Sequence, residues 1–183
     1  MIYPIVVYGD PVLRKKAEPI APDYPDLAGF LVNFWNTMYS ADGVGLAAPQ
    51  VGRSIRVFVV DASAGADEDP SLKEFKKVFI NPQIIDTDGS CVIEEGCLSL
   101  PEIRENITRP ETVRIRYQDE NFVEHEDTFS GFAARVIQHE YDHLEGRMFV
   151  DYLSPLRRKL MKNRLLNITK GKVTPSYKIR VPV

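Results

Sequence analysis

The chain of 183 residues has a formal net charge of −3, with 44% hydrophobic and 27% charged residues. This composition is ordinary for one globular domain with a sizeable core, and the slight acidity gives no reason to expect DNA binding. No leader precedes the fold, no apolar run approaches the roughly 18 residues of a membrane span, and two cysteines are too few for a disulfide framework. We therefore expect a cytoplasmic protein without a membrane partner.

The hydrophobic pattern predicts three helices separated by a group of strands. The helices cover residues 25–43, the stretch from Ser130 to Gly146, and residues 154–169, where Leu156, Leu160 and Leu165 are expected to be buried. Strands are predicted at 55–61, 77–86, 91–94, 98–100 and in a hairpin at 112–129. This order indicates an α+β fold of mostly antiparallel sheets that surround the second helix. The first helix is amphipathic, and the last carries a basic cluster.

The segment 138–143, with the sequence QHEYDH, carries the clearest sign of chemistry. His139 and His143 are four residues apart, so a helix places both imidazoles on one face, where they can share a metal ion. Glu140 stands beside them as a base for a metal-activated water. This spacing favours a metal site over a buried helix whose histidines only form hydrogen bonds. A catalytic metal also needs a third protein ligand.

The candidates for the third ligand are the remaining histidine, His125, and the two cysteines, Cys91 and Cys97. Phe149 occupies the place where extended protease motifs carry a histidine, and His125 lies in an alternating stretch typical of a half-exposed strand. Cys97 lies in an irregular Gly- and Pro-flanked segment, whereas Cys91 lies in a regular run typical of a small core residue. Their separation does not match the C-x2-4-C spacing of structural zinc sites, although a turn at Gly96 leaves that alternative open.

The segment 42–52, DGVGLAAPQVG, predicts a tight turn, because its glycines and small residues allow another backbone to approach closely. It lacks the lysine and the Ser or Thr of a phosphate-binding loop, and GxGxxG spacing is absent. Gln50 ends this turn just before a strand-like run. Its neutral side-chain amide is a candidate hydrogen-bond donor.

Together, GVGLAAPQ (43–50), EGCLSLP (95–101) and QHEYDH (138–143) resemble, in this order, the three signature motifs of the peptide deformylase family. YGDPVLRKKA near the start and MFVDYLSPL after the metal helix are also similar to this family. The resemblance implies a hydrolase that removes the formyl group from the N-terminal formylmethionine of new polypeptides and releases formate. It also implies a single catalytic domain over residues 1–183, with a tail at 171–183 that has no assigned role.

The resemblance assigns roles to the residues that match its motifs. It makes Glu140 the catalytic acid and base, and it makes Gln50 and the backbone N–H of Leu98 the oxyanion hole. The metal ligands that it implies are Cys97, His139 and His143. The substrate-binding residues that it implies are Gly43, Val44, Gly45, Leu46, Ile93, Phe132 and Val136. Arg135 departs from relatives that often have an apolar residue there, although its aliphatic stem can still cover a methionine pocket.

The resemblance also implies one divalent metal ion, Fe(II) in the cell, with Zn(II), Ni(II) or Co(II) as substitutes. The expected partners are N-formylmethionyl peptides. The basic cluster of the C-terminal helix is first interpreted as a solvated face, and a contact with ribosomal RNA is the functional alternative. Two alternatives remain at this point. An HExxH metallopeptidase would cleave peptide bonds without releasing formate, and a non-catalytic metal-binding module would have no need of Glu140.

Overall fold

The structure is a computed structural model that describes residues 1–182. Within this range the chain forms three α-helices, which are α1 (Leu27–Ser40), α2 (Gly131–Leu144) and α3 (Pro155–Thr169). The same range forms nine strands, which are β1 (Ile5–Val6), β2 (Gly45–Ala47), β3 (Val57–Asp61), β4 (Lys76–Asp88), β5 (Cys91–Cys97), β6 (Leu100–Arg109), β7 (Thr112–Gln118), β8 (Glu124–Ser130) and β9 (Ile179–Arg180). No helix among these residues is both long enough and apolar enough to span a membrane.

The largest sheet has five antiparallel strands in the order β2-β3-β4-β7-β8. Successive side chains of a strand point to opposite faces, so the apolar run of β3 contributes to two cores. Phe58 and Val60 pack in the cluster that contains the apolar face of α2, and Val57 and Val59 pack in the cluster that contains α1. The sheet therefore lies between α1 and α2, with β2 at its edge.

A separate hairpin of β5 and β6 packs on the third core, which it shares with α3. Its strands pair regularly from Cys91 opposite Arg109 to Gly96 opposite Arg104, and the register then shifts so that Cys97 pairs with Leu100. The tight connection leaves Cys97 at the tip of the hairpin. This tip is the irregular, accessible backbone that the Gly and Pro residues predict.

The predicted α+β class and all three predicted helices are confirmed. One strand prediction and one turn prediction need correction. The segment 98–100 belongs to a turn and to the start of β6, which continues to Arg109. Along this strand, exposed Glu102, Arg104, Asn106 and Thr108 alternate with more buried residues such as Ile103 and Ile107. Residues 45–47 form β2 and not only a turn, because pairing with β3 outweighs the low strand propensity of their small side chains.

Two expectations about burial also need correction. In α3, Leu156 and Leu160 are 68% and 69% exposed, because the buried face of this helix consists of Met161, Leu165 and Ile168. Cys91 is not a core residue but is partly exposed at the start of β5. The tail predicted at 171–183 returns to the fold, where β9 pairs in parallel with β1. Its last residue, Val183, lies outside the described residues.

Candidate active site

The two histidines lie on the buried face of α2. This helix begins after Ser130, follows an apolar face made of residues such as Ala134 and Ile137, and ends before Gly146, which adopts a left-handed conformation with φ of 72°. The spacing of one helical turn brings the imidazole rings of His139 and His143 to 5.2 Å between centroids. The predicted convergence of these two side chains is therefore present.

Cys97 joins the two histidines from the tip of the β5–β6 hairpin. One ligand atom from each of Cys97, His139 and His143 lies within 4.8 Å of the others, and Cys97 Sγ is 3.3 Å from His143 Nε2. A tetrahedral ion with metal–sulfur and metal–nitrogen bonds of about 2.3 and 2.0 Å needs ligands at such separations. The convergence of this partly buried thiol and two buried imidazoles on one point therefore fits a metal ion. Cys91 and His125 lie outside this group.

Glu95 holds the ring of His139, a contact that the sequence analysis missed. Glu95 Oε2 lies 2.8 Å from His139 Nδ1, and Arg109 and Arg135 donate to Oε1 at 2.6 and 2.8 Å. Burial by itself would raise the pKa of Glu95, but hydrogen bonds from His139 and Arg109 hold this pKa below its ordinary value. Glu95 is therefore an anion that accepts the Nδ1 proton and directs Nε2 of the ring toward a metal.

The Glu95 carboxylate belongs to a buried network of hydrogen bonds and ion pairs that connects the β5–β6 hairpin with α2. Arg109 also donates to Asp142 Oδ2 at 2.6 Å, and the Tyr152 hydroxyl donates to the same carboxylate at 2.9 Å. Glu95, Arg109, Arg135 and Asp142 are each at least 93% buried. Two carboxylates face two guanidinium groups, so their charges offset each other in an environment where an unpaired charge would be costly.

Glu140 lies on the same helix with a different environment. It is buried, and its Oε2 has no hydrogen-bond partner among residues 1–182. Burial raises the pKa of Glu140 to about 7. A Cβ atom at Gly45 would lie 2.6 Å from Glu140 Oε1, so the absence of a side chain at Gly45 makes room for this carboxylate.

Gln50 reaches the metal-ligand group from the other side. Its Oε1 accepts a hydrogen bond from the Ala47 amide at 2.8 Å, which leaves the Nε2 end directed at the hairpin tip. Nε2 lies 3.3 Å from Ser99 Oγ and 3.5 Å from Cys97 Sγ. Only a residue with both a donor and an acceptor can make these contacts, so the amide is oriented before any ligand binds.

A cavity of about 590 Å³ opens beside this cluster. Most of the predicted site residues line it, namely Gly43, Val44, Gly45, Gln50, Ile93, Cys97, Leu98, Phe132, Val136, His139 and Glu140. Leu46 does not line the cavity, because its side chain is fully buried in the core next to α1. Arg135 lines the cavity, and its guanidinium is turned away to Glu95 and to the carbonyl oxygens of Ile107 and Cys91.

A partly buried thiol, two buried imidazoles and a neighbouring carboxylate beside a cavity define the class of metal-dependent hydrolases. The polypeptide deformylase family model matches residues 2–159, and the chain belongs to this family. A peptide deformylase of Christiangramia forsetii is 52% identical over 190 aligned positions, which cover 100% of this chain and 97% of that protein. These findings confirm the family resemblance and do not favour the metallopeptidase alternative.

Solved structures agree with this assignment. The peptide deformylase of Thermus thermophilus superposes with a TM-score of 0.83 at 39% identity, covering 93% of this chain and 99% of that one. A peptide deformylase from Legionella pneumophila superposes with a TM-score of 0.82 at 37% identity. The match covers 94% of this chain and 98% of that one. The antiparallel sheets around α2 are thus the family fold.

Proposed function

We propose that this chain removes the formyl group from the N-terminal formylmethionine of new polypeptides, and that residues 1–183 act as one catalytic domain in the cytoplasm, where such chains are made. The observation that carries the proposal is the convergence of three separate segments on one cavity. Cys97 comes from the hairpin tip, Gln50 from the segment after β2, and His139 and Glu140 from α2, and all four line the cavity. His143, one turn further along α2, is buried and joins Cys97 and His139 in the metal-ligand group. Family membership supports the reaction.

Cys97, His139 and His143 would hold the divalent metal ion. When bound, such an ion polarises a water molecule and the formyl carbonyl. A thiolate with two imidazoles suits Fe(II) as well as Zn(II), and we propose Fe(II) in the cell with Zn(II), Ni(II) or Co(II) as substitutes. Glu95 would keep the His139 ring in the orientation and tautomer that ligation needs.

Glu140 is the proposed acid and base. Its carboxylate accepts a proton from the attacking water, whose oxygen then adds to the formyl carbon. The carboxylic acid later returns this proton to the departing amine nitrogen, so the products are formate and a free N-terminus. Burial raises the pKa of Glu140 to about 7, and this value suits both steps. A group that titrates near neutral pH both accepts and releases protons readily.

Gln50 Nε2 and the backbone N–H of Leu98 are the proposed donors to the former carbonyl oxygen, on which negative charge gathers during the addition. Val44, Ile93, Phe132 and Val136 would enclose the methionine side chain. The backbone of Gly43, Val44, Gly45 and Leu46 would pair with an extended peptide. β2 is the edge strand of its sheet, and edge strands can accept another strand.

The experiment that tests this function is an anaerobic assay of formate release. The metal-loaded protein is given formyl-Met-Ala-Ser, with acetyl-Met-Ala-Ser as the control, and formate and free amine are measured together. Equal amounts of formate and amine are expected from the formyl peptide. Cleavage of internal peptide bonds without formate would support the metallopeptidase alternative. A protein that binds metal and does neither would be a binding module.

We also propose that α3 contacts ribosomal RNA. The helix contains no acidic residue, and its exposed surface includes Lys159 and Lys162. A basic surface of this kind suits phosphates, and its binding weakens as salt concentration rises. The double variant Lys159→Glu with Lys162→Glu should keep its turnover of short formyl peptides and lose cosedimentation with ribosomes at low salt. Unchanged cosedimentation would exclude this contact.

A further inference from the structure

The segment 171–182, which carries no assigned role, crosses the molecule from the end of α3 to the cavity. It turns at Gly171, which has a φ of 66°, and the Thr174 amide donates to Glu102 Oε1 at 3.2 Å. β9 then pairs in parallel with β1, where the Ile5 amide donates to the Lys178 carbonyl at 2.8 Å. The segment is thus attached at both of its ends.

Tyr177 lies between these attachments and lines the cavity. Its hydroxyl donates to the backbone carbonyl of Leu98 at 2.8 Å. The next carbonyl, that of Ser99, accepts a hydrogen bond from the Tyr8 amide at 2.9 Å. Two successive carbonyls after Cys97 are therefore fixed, one by the C-terminal segment and one by the residues after β1. Because peptide units are planar, fixing these carbonyls orients the Leu98–Ser99 and Ser99–Leu100 units and restricts the backbone rotations at Ser99. The Leu98–Ser99 unit directly adjoins the unit that carries the Leu98 N–H, so its orientation limits where that N–H can point.

The same segment also contacts the piece of chain that carries Gln50. The Arg180 guanidinium packs against Gly52, where a Cβ atom would lie 2.7 Å from Arg180 Nη2. Gly52 has a left-handed φ of 83° and directly follows the helical turn Ala48–Val51 that contains Gln50. The C-terminal segment therefore touches both parts of the chain that hold the proposed oxyanion donors.

We infer that Tyr177 is a positioning residue for the oxyanion hole, acting through the Leu98–Ser99 peptide unit that adjoins the Leu98 N–H, and that the C-terminal segment is a working part of the active site. The inference rests on the proposed function. Tyr177 reaches Leu98 with a donor that is protonated at neutral pH, and it does so from a part of the chain beyond the three signature motifs. Its ring, which lines the cavity, contributes a separate contact to the bound peptide.

The test compares Tyr177→Phe with wild type in the zinc-loaded protein. The variant keeps the ring and loses the hydrogen bond, so kcat for formyl-Met-Ala-Ser should fall about fivefold while KM changes less than about twofold. Zinc content and melting temperature should stay at wild-type values. Hydrogen exchange of the Leu98 amide, followed by NMR, should become faster, a change that general destabilisation does not confine to one residue.

Tyr117→Phe is the matched control. This tyrosine is buried, donates to Asp127 Oδ2 at 2.8 Å in the β7–β8 hairpin, and does not line the cavity. Removing the Tyr117 hydroxyl should leave kcat and the hydrogen exchange of the Leu98 amide unchanged. Tyr177→Ala, which also removes the ring, should raise KM in addition to lowering kcat.

The outcomes separate the two proposals. Wild-type protein that releases no formate overturns the proposed function. Formate release by wild type, together with equal kcat and equal Leu98 exchange in Tyr177→Phe, overturns the positioning role alone. A fall in kcat that the Tyr117→Phe control reproduces also overturns it, because the effect would then come from general stability.

Discussion

Two buried glutamates of the site differ in their surroundings, and this difference separates their roles. Glu95 accepts hydrogen bonds from His139 and Arg109 and remains an anion. Glu140 has an oxygen without a partner among residues 1–182, and burial raises its pKa to about 7. A fully hydrogen-bonded carboxylate suits the orientation of a ring, whereas a carboxyl group that titrates near neutral pH suits proton transfer.

The Glu140→Gln variant should lose turnover and keep its metal. The substitution preserves size and removes the proton acceptor, so kcat should fall by at least about 10²-fold, the usual contribution of general acid–base catalysis. Metal analysis should still find one ion per chain, because Glu140 is not one of the three converging ligands. Loss of metal together with activity would instead make Glu140 a structural residue.

The two cysteines should respond differently to substitution by serine. Cys97→Ser should lose or weakly hold the metal, because a hydroxyl is a much poorer ligand than a thiolate for a borderline metal. Cys91→Ser should retain it, since Cys91 lies outside the ligand group and contacts Arg135 at 3.1 Å. Metal content per chain, measured by elemental analysis, shows which of the two cysteines holds the metal. Equal loss in both variants would restore the structural Cys2His2 alternative.

At the scale of elements, the β5–β6 hairpin and α2 form one unit because charged groups from each meet in the interior. Arg109 of β6 donates both to Glu95 of β5 and to Asp142 of α2. Glu95 in turn contacts His139. The position of His139, a proposed metal ligand on the helix, therefore depends on a strand residue that is far away in the sequence.

The Arg109→Met variant should be strongly destabilised. It removes one guanidinium and leaves two buried carboxylates without that partner, which typically costs about 3–5 kcal/mol. The distorted contact to His139 should also weaken metal affinity by about 10- to 100-fold. Urea unfolding and metal titration measure the two effects.

Arg104→Met, on the same strand, is the control for stability. Arg104 pairs with Glu94 at 2.8 Å, but both side chains are more than half exposed. Such surface pairs contribute about 0–1 kcal/mol. Similar unfolding free energies for the two variants would show that the buried network does not stabilise the assembly of hairpin and helix.

At the scale of the whole molecule, the selectivity of the site depends on how closely its three segments approach. Gly45 lies against Glu140, and Gln50 lies against the hairpin tip. Interiors packed this closely tolerate added carbon poorly, and an extra methyl group typically costs about 1–3 kcal/mol.

Acetyl-Met-Ala-Ser should therefore be hydrolysed hardly at all while still competing weakly with formyl-Met-Ala-Ser. The acetyl methyl crowds the site and also makes the carbonyl less electrophilic, so both effects slow the chemical step. The methionine side chain and the peptide backbone are the same in both peptides, so binding should change less. Comparable turnover of the two peptides by metal-loaded protein would contradict this account.

The local sequence was sufficient to predict the helix α2, which carries the two histidines. Its start after Ser130, its stop before Gly146 and the shared face of His139 and His143 follow from helical geometry over neighbouring residues. The irregular backbone around Cys97 also has a local cause in its glycine and proline. These features are predictable because each depends on interactions within a few residues.

Other features depend on contacts between distant parts of the chain, and only the tertiary structure decided them. Glu95 could have been sought, since metal-bound histidines usually donate to a carboxylate, but the sequence offers many candidates and no distances. Residues 45–47 become a strand by pairing with β3, and the buried face of α3 is selected by the core that it meets. Tyr177 reaches Leu98 across 79 positions, a contact that depends on how the chain packs and not on any local pattern.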